Sequence, residues 1–395
     1  MKVLRVIVTM HPSYGGPCQG IRNSIPAMKE LGIENEVVCL DNKDLDYGMS
    51  DGFLIHKIGN GVGPYKYNVS LNNWLNSNFN RFDLVIIHGL WLYTSYGTFR
   101  AWNNFKRSNL VFPKLYVMPH GMLDPYFQLA PERRLKAMRN TIFWHLFEKK
   151  VINGVDGVLF TCEMEKELAK ESFNDYLPLN EINVGYGIQT PPLFIPEMEE
   201  EFLMKSGLTK DQPFILFLSR IHSKKGVDYL IKSYVDLVEG GKYRDIPKLV
   251  IAGPTSNRYA QGLMGSVANR NDVIFTGMLQ GNAKWGALYL SGAFILPSHQ
   301  ENFGIAVVEA LACGTPVLIT DKINIWKEIE EGRGGLVKDD TLEGTKGLLQ
   351  QWFSLPPEDR EFMAKSAKNT FLKYFTVKSA AVQFLGKLSS NDIKS

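Results

Sequence analysis

The sequence predicts an α/β protein built from two doubly wound parallel sheets that face each other across a cleft. Short apolar runs rich in Val, Ile, Leu and Phe alternate with longer helical patterns over nearly all 395 residues, which is typical of parallel strands buried on both faces. Twelve such runs exceed what one open sheet commonly holds, so we expect two sheets. The acidic, proline-containing segment 189–201 separates the two series.

Seven of the predicted strands precede this segment and five follow it. The first series is Val3–Met10, Glu36–Leu40, Phe53–Ile58, Asp83–His88, Lys114–Met118, Val158–Cys162 and Ile182–Tyr186. The second series is Pro213–Ser219, Lys248–Ala252, Val273–Thr276, Ala293–Pro297 and Pro316–Thr320. The clearest helix is predicted at Val227–Glu239, because its apolar residues recur at the spacing of one helix face.

These elements predict two Rossmann-like domains, 1–190 and 200–370, followed by a C-terminal helix and frayed tail at 371–395 that returns to the first domain. The prolines and acidic run of 189–201 should neither extend a strand nor enter a core, so we expect a linker there. Ligands of doubly wound sheets bind beyond the carboxyl ends of the strands. Functional residues are therefore expected in the loops that follow strands.

Composition and charge argue against several classes of protein. The net charge is +3 and the isoelectric point is near 8.4, which lacks the concentrated basic footprint of a nucleic-acid-binding protein. The four cysteines have neither metal-ligand nor redox spacing. The N-terminus lacks a signal-peptide cleavage site, and no stretch reaches the ~20 apolar residues of a spanning helix. We therefore expect a cytoplasmic protein.

A glycine-rich turn follows the first predicted strand. Gly15 and Gly16 stand where backbone amides can approach an anion at the start of a helix. A plain tight turn explains the same pattern. Asp41, at the end of the second strand, would suit the ribose of a nicotinamide cofactor, but the dinucleotide fingerprint GxGxxG is absent, which disfavours a dehydrogenase.

Two cations bracket the loop before the helix Val227–Glu239. Arg220 closes the preceding strand and Lys225 lies two residues before the helix. A planar guanidinium and a compact ammonium at opposite ends of one short loop can clamp a diphosphate. A solvated basic loop is the alternative interpretation.

Two glutamates lie beyond the strand Ala293–Pro297. If a helix starts at Glu301, the eight-residue spacing places Glu301 and Glu309 about 80° apart around it. A carboxylate can accept two hydrogen bonds from the vicinal diol of a ribose or a sugar ring. Gly304 would let backbone amides meet a phosphate, and the helix should end before Gly314.

Together these motifs resemble family four of the retaining glycosyltransferases, which have the GT-B fold. Glu301 and Glu309 match the EX7E signature of that family, and the loop 220–226 matches its basic hallmark. The pair Gly15-Gly16 resembles its glycine turn, and His120, in Pro-His-Gly-Met-Leu, lies in a segment similar to its active-site loop. The order and spacing agree over roughly residues 1–337.

One segment departs from the family pattern. Many members carry Asn-Gly-Ile-Asp at the end of the first domain, where this chain has Tyr186 and Gln189 in place of the Asn and Asp. The departure changes local contacts at that point and leaves the expected fold unaffected.

The resemblance implies a role for each matching residue. Arg220 and Lys225 would hold the donor diphosphate, and Glu309 would bind the ribose hydroxyls. Glu301 would meet the donor sugar, and His120 would hydrogen-bond the transferred sugar, so that the catalytic set is His120, Glu301, Arg220 and Lys225. The remaining donor contacts would come from Gly15, Gly16, Met278, Leu279, Asn302, Phe303, Gly304 and Ile305.

The implied reaction moves a hexosyl-type sugar, with retention, from a UDP- or GDP-sugar to a hydroxyl of a glycan or lipid-linked acceptor in polysaccharide or glycolipid synthesis. The first domain would bind the acceptor and the second the nucleotide sugar. No cofactor and no metal are implied, since the DxD triplet Asp44-Leu45-Asp46 is too short a match to predict one. A nucleotide-sugar epimerase and a non-catalytic nucleotide-sugar binding protein are the alternatives.

Two basic, aromatic segments of the first domain, 100–114 and 132–150, are candidates for contact with a membrane. Basic amphipathic helices bind anionic membrane surfaces, and an enzyme with a lipid-linked acceptor needs such contact. The alternative is that the aromatic rings pack on the sheet while the basic groups face water. From the first interpretation we predict weak peripheral association with the inner face of the membrane.

Overall fold

The computed structural model describes residues 1–48, 50–130 and 133–392, apart from the side chains of 389–392. Contacts divide the chain into two compact units. Unit 1 contains Met1–Gly187 together with the C-terminal segment that begins at Val377, and unit 2 is Ile188–Thr376. Each unit is α/β, which confirms the predicted fold class. The predicted return of the C-terminal helix to the first domain is confirmed as well.

Each unit contains one sheet. The strands of unit 1 are β1 (Lys2–Ile7), β2 (Glu34–Cys39), β3 (Leu54–Lys57), β4 (Leu84–His88), β5 (Lys114–Met118), β6 (Gly157–Phe160) and β7 (Glu181–Asn183). Those of unit 2 are β8 (Phe214–Leu218), β9 (Lys248–Ala252), β10 (Val273–Gly277), β11 (Ala293–Leu296), β12 (Val317–Thr320) and β13 (Gly335–Lys338). Their order is β3-β2-β1-β4-β5-β6-β7 in one sheet and β10-β9-β8-β11-β12-β13 in the other, and all strand pairings are parallel.

Helices connect the strands. In unit 1 they are α1 (Gly16–Glu30), α2 (Val69–Asn78), α3 (Tyr93–Ser108), α4 (Tyr126–Leu129), α5 (Arg134–Phe143), α6 (Lys149–Ile152), α7 (Glu163–Ala169) and, from the C-terminal segment, α16 (Val377–Asp392). In unit 2 they are α8 (Pro196–Ser206), α9 (Val227–Glu239), α10 (Arg258–Ser266), α11 (Gly281–Leu290), α12 (Ile305–Cys313), α13 (Trp326–Glu331), α14 (Leu342–Ser354) and α15 (Pro357–Thr370). Short π-helical turns, Trp144–Glu148 and Phe371–Phe375, follow α5 and α15.

The twelve predicted strands all occur, with ends displaced by at most three residues, and α9 has the predicted bounds. One strand, β13, is absent from the prediction. It pairs with β12 over four residues, lies at the sheet edge and is only half-buried. Because an edge strand of this kind is only partly buried, its sequence, Gly-Leu-Val-Lys, does not need the apolar run that marks the central strands.

The expectation that 189–201 stays outside any core is wrong. Helix α8 begins at Pro196, a residue favoured in the first helical turn. Its Met198 and Phe202 are 2% and 0% exposed. The helix packs on α11, where a Cβ atom at Gly286 would lie 2.0 Å from the Met198 carbonyl oxygen. An acidic first turn is therefore compatible with a buried face on the same helix.

Each sheet has a point where the strand order reverses, and this point positions the loops of interest. In unit 1, β1 lies between β2 and β4; in unit 2, β8 lies between β9 and β11. At such a point the connecting helices leave on opposite faces, so a crevice opens beyond the carboxyl ends of the two strands. The loops that follow β8 and β11 therefore border one crevice within unit 2.

Candidate functional site

Two loops of unit 2 are held against each other beyond the ends of β8 and β11. The backbone N–H of His299 donates to the Lys224 carbonyl at 2.9 Å, and the Ser298 hydroxyl donates to the same oxygen at 3.1 Å. Gly226 has φ +64°, and a Cβ atom there would lie 1.9 Å from the Pro297 carbonyl oxygen. Only glycine allows this approach, which places the basic loop beside the glutamate loop.

Lys225 is the buried cation of this site. It is 6% exposed and forms an ion pair with Glu301. Burial, then the positive charges of Lys224 and Arg220, lower the pKa of Lys225 to about 7. The Glu301 carboxylate acts in the opposite direction, since a nearby anion favours the charged ammonium. An anionic ligand at this position would likewise favour protonated Lys225.

Arg220 supplies the second cation. It is exposed, and its charge is close enough to Lys225 to lower the pKa of that residue. The structure therefore brings the two predicted phosphate-binding cations together at the end of β8, one buried and one accessible to a ligand.

The expectation that the helix starts at Glu301 is wrong. Helix α12 starts at Ile305, four residues later, with Gly304 at φ +71° as its N-cap. Glu301 instead lies in the preceding loop, where its carbonyl oxygen accepts from the N–H of Asn324 at 3.0 Å. The predicted helix end is confirmed, because Gly314 caps α12 with φ +80°.

The start of α12 at Ile305 bears on anion binding. The first turn of a helix leaves N–H groups without intrahelical partners, and its dipole places partial positive charge there. That turn begins directly after the loop that carries Glu301. Backbone amides and the ammonium of Lys225 thus border the same loop, as a phosphate site requires.

Glu309 lies on α12 and has a partner that the sequence did not reveal. Its Oε1 accepts a hydrogen bond from Lys284 Nζ, on α11, at 2.6 Å, and its side chain is 14% exposed. The pairing compensates the charge of a mostly buried carboxylate. The carboxylate remains able to accept from hydroxyl groups, since each of its two oxygens has more than one lone pair.

The other predicted donor contacts of unit 2 differ in exposure. Met278 is 61% exposed, whereas Leu279 is 6% exposed and belongs to the core. Asn302 Oδ1 lies 3.3 Å from Asn324 Nδ2. Phe303 is 6% exposed and packs edge-on against Phe375, with ring centroids 5.7 Å apart. Leu279 and Phe303 therefore have little side-chain surface to offer a ligand.

In unit 1 the glycine turn opens α1. Gly15 is the N-cap with φ +87°, and a Cβ atom on Gly16 would meet no atom within 4 Å. Tyr186, one of the two residues that depart from the family pattern, donates its hydroxyl to the Gly16 carbonyl at 3.1 Å. Its ring occupies the space beside Gly20, where a Cβ atom would lie 2.3 Å from the Tyr186 hydroxyl oxygen. Tyr186 thus packs against α1 and stabilises the glycine turn.

His120 lies in the loop after β5 with φ +54°, a region that non-glycine residues seldom occupy. Its Nε2 is 2.9 Å from Nδ1 of His88, the last residue of β4. Burial and, to a smaller extent, the charge of Arg5 lower the pKa of His120 to about 3. The following residue, Gly121, donates its N–H to buried Glu165 at 2.5 Å. His120 is consequently a neutral imidazole in a firmly held loop.

Among the residues that the structure describes, no group of three or more His, Cys, Asp or Glu side chains is arranged to hold a metal ion. In the DxD triplet, Asp46 Oδ1 instead accepts from the backbone N–H of Gly48 at 2.8 Å. None of the described helices combines the length and apolar character required to cross a bilayer.

Several residues with a bearing on the site were missed from sequence. They are Arg5, His88, Glu165 and Lys284. Arg5 and His88 carry a visible signal, because each is a polar residue within an otherwise apolar strand run. Glu165 and Lys284 carry none, since both lie on helices where charged residues are ordinary.

Comparison with known proteins finds similarity to glycosyltransferases within unit 2. Residues 198–370, all within unit 2, match the family described as Glycosyl transferases group 1. An uncharacterized glycosyltransferase of Methanocaldococcus jannaschii is 29% identical over 185 residues, 45% of each chain. Alpha-monoglucosyldiacylglycerol synthase of Streptococcus pneumoniae is 31% identical over 177 residues, which cover 42% of this chain and 38% of that protein. The matched region spans less than half the length of these curated relatives.

Solved structures show the fold over the whole chain. Sucrose-phosphate synthase from Thermosynechococcus elongatus superposes with a TM-score of 0.72 at 16% identity, covering 100% of this chain and 99% of that one. HepE from Anabaena, solved in complex with UDP and glucose, has a TM-score of 0.70 at 14% identity, covering 99% and 100%. The chain therefore has the GT-B fold, with one Rossmann-like sheet in each unit.

Proposed function

We propose that this protein is a glycosyltransferase that moves a sugar from a nucleoside diphosphate sugar to an acceptor hydroxyl. One observation carries the proposal: buried Lys225, exposed Arg220 and the first turn of α12 border the loops beyond β8 and β11. A diphosphate needs such a set of cations and amide donors. All of these residues lie within the region that matches the glycosyltransferase family.

The roles follow from the charge that develops during transfer. As the bond between the sugar C1 and the phosphate oxygen breaks, negative charge accumulates on the leaving diphosphate. Cations and amides fixed in advance stabilise that charge without reorganisation, and loss of one such donor costs about 3 kcal/mol in the barrier. Lys225 and Arg220 are the cations in this role, and Glu309 accepts from the ribose hydroxyls.

Glu301 has a role that changes when the donor binds. Without ligand it pairs with Lys225. A diphosphate that takes over the ammonium leaves the Glu301 carboxylate free to accept from hydroxyl groups of the donor sugar. The ion pair therefore compensates the charges of both side chains while the site is empty. When the donor binds, its diphosphate replaces Glu301 as the anion that pairs with Lys225.

We also propose that transfer retains the anomeric configuration and that the donor is a UDP- or GDP-hexose. The acceptor oxygen would bond to C1 from the face that the diphosphate leaves, and its proton would pass to the departing phosphate oxygen. UDP is the first nucleotide to test, because HepE was solved with UDP and glucose. Proton NMR of fresh product distinguishes retention from inversion.

A thermal-shift screen against UDP, GDP, ADP and their sugars, followed by a transfer assay, tests the proposal. A bound nucleotide at 100-fold its dissociation constant stabilises the protein by about 2.7 kcal/mol. We expect Lys225→Ala and Glu309→Ala to lower kcat/KM about 100-fold or more. Lys232→Ala, an exposed change on α9, is the matched control. Full transfer activity in Lys225→Ala with a native circular dichroism spectrum would refute the site.

A second proposal concerns the acceptor side: α5 docks on an anionic membrane. Four aliphatic side chains form an exposed stripe along α5 and the turn after it, at the spacing of one helix face. They are Leu135, Met138, Ile142 and Leu146, which are 84%, 64%, 57% and 52% exposed. The bases Arg134, Lys136 and Arg139 are exposed on the same helix. An apolar stripe with basic flanks fits a surface of anionic lipid headgroups.

The aromatic rings of both predicted segments mostly pack inward. Trp102 is 2% exposed and Trp144 is 0% exposed, and Phe105 contacts Phe79 with ring centroids 5.4 Å apart. The aromatic rings of the segment 100–114 therefore pack inward, as the alternative interpretation predicts. The docking proposal rests on the aliphatic stripe of 134–146 alone; residue 132 of the second predicted segment lies outside the described residues.

Sedimentation with liposomes tests docking. We expect binding to vesicles that contain anionic phosphatidylglycerol at low salt, and little binding to pure phosphatidylcholine, since each basic residue near an anionic surface contributes about 1 kcal/mol. The double variant Leu135→Gln/Ile142→Gln should lose the binding. Leu110→Gln, a fully exposed residue of the other segment, should keep it. Equal binding by both variants, or none by the unmodified protein, would contradict docking through α5.

A further inference from the structure

Three polar side chains form a row through unit 1, from β1 to the loop after β5. Arg5 Nη1 lies 3.3 Å from His88 Nε2, and His88 Nδ1 lies 2.9 Å from His120 Nε2. The two imidazole rings are stacked, with centroids 5.1 Å apart. The proposed function uses only His120, the last member of the row.

Arg5 is an unusual residue for the centre of a sheet. It is 3% exposed, and burial lowers the pKa of its guanidinium to about 10. Its other contacts are neutral: Nε donates to Asn35 Oδ1 at 2.9 Å and Nη2 lies 3.0 Å from Met28 Sδ. Within the described part of the chain, no carboxylate pairs with it. A buried charge without a counter-ion destabilises a fold, so an apolar residue would be expected here if packing were the only demand.

The row has only one consistent arrangement of protons. A guanidinium is a donor and never an acceptor, so His88 Nε2 must accept and carry no proton. Neutral His88 then has its proton on Nδ1 and donates it to His120 Nε2. Neutral His120 must in turn carry its own proton on Nδ1. Burial keeps both rings neutral, because it lowers the pKa of His88 well below its usual value and that of His120 to about 3.

We infer that Arg5 and His88 are positioning residues that hold His120 in the Nδ1–H tautomer, so that His120 offers a hydrogen-bond donor to the transferred sugar. The inference rests on the proposed function for its substrate, and on the geometry alone for the tautomer. None of the described groups accepts from His120 Nδ1, which leaves that N–H for a ligand oxygen. With the opposite tautomer the ring would offer a lone pair there and would repel the lone pairs of that oxygen.

The first test uses the unmodified protein and needs no activity. In 15N-histidine-labelled protein at pH 7, long-range 1H–15N correlations report which ring nitrogen carries the proton. We expect His120 with a protonated Nδ1 and a bare Nε2, assigned by its loss in His120→Asn. A protonated Nε2, or an imidazolium, would overturn the inference.

The second test separates positioning from support of the fold. His88→Asn keeps an N–H near the place of Nδ1, whereas His88→Leu removes it. We expect His88→Leu to lower kcat about tenfold with little change in the KM for the donor, the size of one lost hydrogen bond. His88→Asn should recover most of that loss. His56→Leu, on β3, controls for removing a histidine from unit 1.

Wild-type kcat in His88→Leu, or an equal loss in a well-folded His88→Asn, would overturn the positioning role. If either variant fails to fold, the tautomer measured in the unmodified protein decides. If no nucleotide sugar is ever a substrate, the proposed function fails while the tautomer result stands independently.

Discussion

At the scale of single residues, the site depends on groups whose charge is set by their surroundings. Lys225 and His120 are an ordinary lysine and histidine in sequence, yet burial lowers both pKa values, to about 7 and about 3. Lys225 becomes a cation that titrates near neutral pH, and His120 becomes a ring that is neutral at neutral pH. Neither property can be derived from a motif, because desolvation depends on which distant side chains surround the group.

The lowered pKa of Lys225 predicts pH-dependent nucleotide binding. A diphosphate binds the protonated ammonium, so affinity is highest below the pKa of free Lys225, about 7, and falls as pH rises above it. Between pH 7 and 8.5 the dissociation constant should increase about 15-fold, because the protonated fraction of free Lys225 falls from about one half to about 3%.

Isothermal titration calorimetry in buffers of different ionisation enthalpy checks this, because binding near pH 8 should also take up close to one proton. Lys225→Gln should bind weakly with no such slope, while Lys232→Gln should retain it. Constant affinity of the unmodified protein from pH 7 to 8.5 would contradict a neutral-range pKa.

At the scale of elements, the sequence predicts what a local pattern encodes. The buried strands and α9 were predictable because apolar residues repeat at fixed spacing. The start of α12 was not, since Glu301-Asn302-Phe303 is compatible with a helix and only the left-handed Gly304 interrupts it. Likewise the partners Lys284 and Glu309 are 25 residues apart on separate helices, and nothing local links them.

The contact between α1 and Tyr186 predicts different effects for alanine at two glycines one helical turn apart. An alanine Cβ at Gly20 would lie 2.3 Å from the Tyr186 hydroxyl, whereas one at Gly16 would meet nothing within 4 Å. We expect Gly20→Ala to lower the free energy of unfolding by about 1–3 kcal/mol, as overpacking commonly does. Gly16→Ala should leave the stability of the fold unchanged.

Urea denaturation of the two variants measures this difference. Adding Tyr186→Leu to Gly20→Ala should restore part of the lost stability, because the residue that causes the clash is removed. Equal stabilities of Gly20→Ala and the unmodified protein would show that the ring moves aside without cost.

At the scale of the whole molecule, the last helix belongs to the first unit. Helix α16 packs on α1, and its Ala381 and Phe384 are each 2% exposed within the core that includes Val3 and Ile86. The chain thus forms most of unit 1 first, then unit 2, and returns to unit 1 with its C-terminal segment. The stability of the first unit therefore depends on residues nearly 200 positions beyond Gly187.

This connectivity predicts which unit is destabilised by a substitution of a core residue in α16. Phe384→Ala should destabilise unit 1 by about 3–5 kcal/mol, the usual effect of emptying a buried phenylalanine site. Hydrogen exchange followed by mass spectrometry should show faster exchange in peptides of β1, α1 and β4, with unit 2 unchanged. Val382→Ala, which is 53% exposed on the same helix, is the control. Faster exchange confined to unit 2 would contradict the division.

The central claim is that the loops after β8 and β11 bind the diphosphate of a nucleotide sugar. A crystal structure of the complex with UDP or GDP, whichever stabilises the protein, tests it most directly. We predict phosphate oxygens in contact with Lys225 Nζ, Arg220 and the first amides of α12, with Glu309 on the ribose and Glu301 separated from Lys225. A nucleotide bound elsewhere, with the Lys225–Glu301 pair intact, would contradict the account.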